Sequence, residues 1–201
     1  MRRSISIREL FDIDIPIIQA PMGGVGTRDL AVAVSDAGAM GSIACAGATR
    51  ESLRLSLQSV AHATSRSVNF NFFAHEQPVV SQADDNKWID ALTPYFNEAG
   101  IDLPEGLSNN GIETFGADLC EVLLEHRPKV VSFHFGLPSD ELLSQLKNAG
   151  IIVMSSATTV REAVHLETKG CDAIIAQGLE AGGHRGMFMS KDVSSQIGTM
   201  A

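Results

Sequence analysis

Cysteine, basic charge and long apolar runs are all scarce in this sequence, and each scarcity removes a class of function. Only three cysteines occur in 201 residues. Cys45, Cys120 and Cys171 are far apart and odd in number, so they suggest neither a disulfide framework nor a metal-ligand spacing. Each lies in or beside an apolar segment, where a buried, inert thiol is expected, and a reducing cytoplasm is the default compartment. Lys and Arg total 15 against 24 Asp and Glu, a formal net charge of −9. No basic run or patch is visible, which argues against a nucleic-acid partner. No apolar run approaches membrane-spanning length, and the N-terminal stretch has no apolar core of signal-peptide length. There is no Gly-x-Gly-x-x-Gly after a strand, no Walker loop, no His-Glu-x-x-His and no nucleophile elbow.

What is present is an ordinary globular composition, 44% hydrophobic and 19% charged, long enough for one sizeable core. Apolar runs of strand length alternate with segments of helical spacing. Strands are expected at 15–21, 40–46, 67–73, 129–136, 151–157 and 173–177. A helix over 29–37 places Leu30, Ala33, Val34 and Ala37 on one face and stops at Gly38. The next is capped by Thr49 and has apolar positions at Leu53, Leu55, Leu57 and Val60. Further helices cover 115–125 and 139–149, and Thr159 with Glu162 reads as a capping box for a helix ending at Gly170. Asp36-Ala37-Gly38, Asn148-Ala149-Gly150 and Lys169-Gly170 each close a helix and lead into a strand.

Repeated β-α units of this kind imply a parallel sheet with right-handed crossovers. Functional-looking residues recur at the C-terminal ends of the strands, which favours a (β/α)₈ TIM-type barrel over an open doubly wound sheet. About six of the eight units are present, so the sequence reads as one partial barrel domain over 1–201 whose open edge invites homo-oligomerisation. Residues 74–110 interrupt the alternation after the third strand, with Pro78, Pro94, Pro104 and only a short helical stretch near 87–96. They read as an inserted excursion, either an active-site lid or a packing insertion.

The densest chemistry lies in 173–186, Ala-Ile-Ile-Ala-Gln-Gly-Leu-Glu-Ala-Gly-Gly-His-Arg-Gly. A buried strand ends at Gln177, and a glycine-rich turn then carries His184 and Arg185. An imidazole titrates near neutrality and can serve as a base. Taken alone, His184 is open to a catalytic or a structural role, and Arg185 could attract an anionic substrate or, as a structural ion pair, hold Glu180.

The ten residues Gln177 to Gly186 resemble the signature of the FMN-dependent nitronate monooxygenases. Three other stretches match: Gln19-Ala20-Pro21-Met22-Gly23, Asn71-Phe72-Phe73, and Ser132-Phe133-His134-Phe135-Gly136. The resemblance implies a TIM barrel that binds FMN through Ala20, Pro21, Met22, Gly23, Asn71, Gln177, Gly182 and Gly183. It implies that His184 is the catalytic histidine and that His134 lines the substrate pocket, a position where a satisfied core histidine is the alternative. Asn69, on the same strand face as Asn71, is either its partner or a satisfied core amide. The implied reaction oxidises alkyl nitronates, such as propionate 3-nitronate, with O₂ to a carbonyl compound and nitrite. A reductase of the same fold, acting on quinones or enoyl thioesters with NAD(P)H, is the alternative within the fold. In the family, two further β-α units hold the FMN phosphate. A C-terminally truncated chain is therefore expected, and a non-catalytic remnant is the alternative from another class.

Overall fold

The computed structural model describes residues 5–79, 81–103 and 111–201. Residues 1–4 of the N-terminal stretch, and 104–110 at the end of the expected excursion with Pro104, lie outside them. Five strands form one sheet: β1 (Gly41–Ala44), β2 (Val68–Phe73), β3 (Val130–His134), β4 (Ile152–Ala157) and β5 (Ala173–Ala176). Every neighbouring pair is parallel. Spatial order follows chain order, β1-β2-β3-β4-β5. A doubly wound sheet reverses its strand order at a switch point, whereas a barrel wall does not, so the α/β architecture is that of a partial barrel.

The expected first strand at 15–21 forms only a bridge between Ile18 and Met40. The Gln19 amide donates to the Met40 carbonyl at 2.8 Å, and the Met40 amide donates to Ile17 at 3.0 Å. Pro16 and Pro21 supply no donor on either side, which limits the ladder. This segment nonetheless continues the parallel order beyond β1.

Helices α2 (Arg28–Asp36), α3 (Arg50–Ala63), α5 (Ala117–His126), α6 (Asp140–Asn148) and α7 (Val160–Thr168) connect these segments, and α1 (Ile7–Phe11) precedes them. Gly38, Gly150 and Gly170 all adopt positive φ after a helix, as the repeated helix-stop wording expects. Two apolar faces differ from expectation. In α2, Ala31 and Ser35 are buried and Leu30 is exposed. Small residues win here because the helix lies so close to β1 that a Cβ on Gly41 would sit 2.0 Å from the Ala31 carbonyl oxygen. The Ser35 hydroxyl donates to Ser67 and accepts from the Gly41 amide. In α3, Leu53, Leu57 and Val60 are buried, while Leu55 lies off that stripe and is exposed.

Side chains alternate across the sheet. Phe70 and Phe72 of β2, Val131 and Phe133 of β3 and Val153 of β4 pack outward in the main core with Leu53, Leu57, Leu119, Leu123 and Leu146 of the helices. The other face begins at the N-terminal end of the strands with a second cluster of Phe11, Ile13, Met40, Val130 and Met154. Toward the C-terminal ends the same face becomes polar, with Ser42, Asn69, Asn71, Ser132 and Ser156 all buried.

Residues Glu76–Ile112 form a separate compact unit. Its helix α4 runs Gln82–Ala99, well beyond the short stretch expected at 87–96, and keeps Pro94 inside it. Gly100 ends it with a left-handed φ of 64°. No described helix is long and apolar enough to cross a membrane.

All three cysteines are buried and unpaired. Burial pushes the thiol of Cys45 up to about 12 and that of Cys171 to about 11. Alkylation of these two at pH 8 should therefore be at least ~100-fold slower in the native chain than in denaturant, readable by mass spectrometry. Gly41→Ala should lower stability by ~1–3 kcal/mol or more through overpacking against α2, measured by denaturant unfolding.

Candidate active site

Parallel strands deliver their C-terminal ends to one side of the sheet, and barrel chemistry gathers there. β2 ends in Phe73, β3 in His134 and β5 in Ala176, with Gln177 next. In register, Asn71 lies beside Ser132 and Phe73 beside His134. The Asn71 amide donates to the Ser132 hydroxyl at 2.9 Å and to its carbonyl at 3.4 Å. Asn69 donates to the Ser42 hydroxyl at 3.1 Å, but its carbonyl oxygen is buried without a partner among the described residues. It is thus a half-satisfied amide, and it does not pair with Asn71. Gln19 donates to the Ser42 carbonyl at 3.4 Å, and its own carbonyl oxygen is also buried with no partner among the described residues.

The turn after β5 folds back onto β3. His134 Nε2 lies 2.9 Å from the His184 carbonyl oxygen, and Nδ1 lies 2.9 Å from the Ser156 hydroxyl. A carbonyl can only accept, so Nε2 carries the proton and Nδ1 accepts from Ser156. The Gln177 amide also donates to the His184 carbonyl, at 2.9 Å, and its oxygen accepts from the Gly186 amide at 2.7 Å. Gly186 is required: a Cβ there would lie 2.6 Å from the His134 ring. Both of His134's nitrogens therefore serve the structure of this turn. Burial pulls its pKa below the ordinary histidine value, opposed by the His184 carbonyl bond and reinforced by the charges of His184 and Arg185.

The His184 ring is exposed, and among the described residues no hydrogen bond engages its nitrogens. It packs edge-on to Phe73, with ring centroids 5.2 Å apart, and lies 6.0 Å from Phe135. Phe135 is held at a φ of 67°, rare for a residue with a Cβ, and lies 4.5 Å from the His134 ring. His75 joins the same aromatic pair, 6.2 Å from Phe73 and 6.1 Å from Phe135. Its Nδ1 is buried with no partner among the described residues. An imidazole free at both nitrogens beside an apolar wall can take a proton from a carbon acid or hold its anion.

Arg185 departs from expectation. Its guanidinium donates to the carbonyls of Gly178 at 2.5 Å and Leu179 at 2.6 Å. Glu180 instead accepts from the Thr199 amide at 3.0 Å. Arg185 is thus the clasp of its own turn, because the carbonyls at its start lie nearer than any carboxylate. Gly182 and Gly183 lie on the exposed part of that turn, with open space where a Cβ would go. Ala20, Pro21, Met22 and Gly23 form an exposed loop, closed by the Gly26 amide donating to Met22 at 2.8 Å. Among the described residues no hydrogen bond ties this loop to the His184 turn.

Sequence reasoning missed Ser156 and misread Glu162. Thr159 does cap α7, accepting from the Glu162 amide at 3.2 Å, but the return half of the capping box is absent. The Glu162 carboxylate turns instead to Thr158, Phe188 and Met189. A Ser at the end of a strand, or a Glu at a helix start, carries no local sign of such distant partners.

A family model described as nitronate monooxygenase matches residues 5–200. The chain is 44% identical over 194 residues to a nitronate monooxygenase of Pseudomonas aeruginosa, covering 96% of the chain and 55% of that protein. It is 42% identical to one from Paraburkholderia phytofirmans, covering 96% and 53%. The solved structure of a nitroalkane oxidase from Streptomyces ansochromogenes superposes with a TM-score of 0.80 at 34% identity, covering 96% of this chain and 54% of that one. The chain spans about half the length of the curated relatives it matches.

Burial favours the neutral form of His134. The unfolded chain then binds more protons below the ordinary histidine pKa, so this group's contribution to stability falls as pH drops below about 6.5. In ¹⁵N NMR, His134 should appear as the neutral Nε2–H tautomer at pH 7, with its titration midpoint below that of an exposed histidine.

Proposed function

The chain belongs to the nitronate monooxygenase family, and from that premise we propose that it is the catalytic-histidine half of a flavin enzyme that oxidises alkyl nitronates with O₂ to a carbonyl compound and nitrite. The observation that carries the reading is the His184 imidazole, free at both nitrogens among the described residues while its backbone is clamped. His134 and Gln177 hold its carbonyl from two sides, so the ring is positioned without being consumed. Pre-set geometry of this kind is what a general base requires.

His184 would take the proton from the carbon beside a nitro group, or hold the nitronate anion once formed. Phe73 and Phe135 would face the alkyl part of the substrate and exclude water around it. The backbone clasp made by Arg185 keeps the turn shaped while Gly182 and Gly183 leave its surface unobstructed.

The residues present fit FMN at its ring end. Two buried carbonyl oxygens, of Gln19 and Asn69, have no partner among the described residues, and a buried orphan acceptor is costly unless something donates to it. A flavin ring offers an imide N–H together with carbonyl acceptors. Asn71 and Gln177, each carrying donor and acceptor, and the open loop of Ala20, Pro21, Met22 and Gly23, would hold that edge. FMN, when bound, supplies the electron relay between nitronate and O₂. The buried thiols suit a reducing, cytoplasmic setting.

Two outcomes test the reading. The chain, incubated with FMN and desalted, should keep a flavin absorption spectrum. His184→Ala should then lower kcat on a neutral nitroalkane by ~10²–10⁴-fold, the range typical of a lost general base. Unchanged turnover would remove His184 from the chemistry, and oxidation of a nicotinamide without nitronate would favour a reductase.

A further inference from the structure

We propose that Glu162 is the positioning residue of the catalytic turn: a buried carboxylate that latches the chain following His184 onto the β4–α7 connection. The inference rests on the reading of His184 above and assigns a role to a residue outside the family motifs.

Glu162 is 1% exposed. A carboxylate that deep is rarely found without compensation. Among the described residues no cation pairs with it, and hydrogen-bond donors take that place. One oxygen accepts from the Thr158 amide at 2.7 Å and the Thr158 hydroxyl at 2.8 Å. The other accepts from the Phe188 amide at 2.8 Å and the Met189 amide at 3.1 Å. Burial opposes the charge, yet the N–H groups of Phe188, Thr158 and Met189 outweigh it and hold the carboxyl below its ordinary value. The carboxylate thus joins two segments that are 26 residues apart along the chain.

The latch acts on the site by two routes. The first is the backbone. His184 lies between an anchor at Gln177 and His134 and an anchor at Phe188 and Met189, with only a few residues between them. The second is the Phe188 ring, which lies 3.3 Å from the position of a Cβ on Gly136. Gly136 follows Phe135, the strained residue whose ring faces both His134 and His184. Releasing Phe188 therefore loosens the turn that bears His184 and the aromatic wall beside it. The helix had a local use for this carboxylate in its capping box; its diversion to Phe188 and Met189 marks a tertiary role.

Glu162→Gln keeps the shape but presents an NH₂ group to one pair of donors. In the 201-residue chain, amide hydrogen exchange at Phe188 and Met189 should rise at least ~10-fold, while Val131 and Phe133 of β3 keep their protection. With FMN bound, kcat on a neutral nitroalkane should fall at least ~10-fold, with KM and flavin content within about twofold, the signature of a lost transition-state interaction. Glu162→Asp keeps the charge near Thr158 but is one methylene short of Phe188 and Met189, and gives the same readout should the glutamine variant fail to fold. Unchanged exchange at Phe188 and Met189, or raised exchange with unchanged kcat, overturns the proposal. If His184→Ala loses turnover while Glu162→Gln behaves as the parent, this proposal alone fails. If His184→Ala keeps turnover, the functional reading fails and the positioning role falls with it.

Discussion

One carbonyl oxygen, that of His184, holds the candidate site together. It accepts from the ring of His134 and the amide of Gln177, each at 2.9 Å. Both donors are themselves fixed, His134 by Ser156 on β4 and Gln177 by the Gly186 amide. A residue whose backbone is pinned this way loses little conformational freedom when substrate arrives. Its side chain stays available because the protein has spent the backbone, and not the imidazole, on structure.

That arrangement depends on the parallel register of the sheet. Ser132 and His134 share a face with Asn69 and Asn71 because side chains repeat every second residue. Slipping β3 by one residue would send His134 into the helical layer and bring Phe133 to the site. Along that face the floor of Phe11, Met40, Val130 and Met154 gives way to amides, hydroxyls and imidazoles. Apolar residues close the bottom of the barrel wall and polar ones open its mouth, so one set of strands supplies both the stability and the site.

Glycine and a buried carboxylate share the remaining task of bringing the β5 turn to β3. Gly186 allows the backbone to rest on the His134 ring. Glu162 secures the chain beyond it. Arg185, which local charge pairing would assign to Glu180, closes the near end by bonding to backbone carbonyls. The turn is consequently fastened at its start, middle and end by side chains from three different places in the sequence.

Much of this was written locally. The helix-stop glycines Gly38, Gly150 and Gly170, the apolar strand runs and the Gln177–Gly186 wording identify a parallel α/β chain and its candidate base, because turn chemistry and strand propensity act over a few residues; burial does not follow from the run alone, since β5, expected to be buried, exposes Ile174 and Ile175. Where local patterns competed, tertiary contact decided. Pro16 and Pro21 reduced an apolar run to a single bridge, and the closeness of β1 turned the small face of α2 inward instead of Leu30. The Glu162 bonds to Phe188 and Met189, the tautomer of His134 and its hold on the His184 carbonyl join residues 22 to 50 positions apart. No local pattern encodes them. They exist because the strand register brings donors and acceptors that are distant along the chain within reach of one another at the C-terminal ends of the strands.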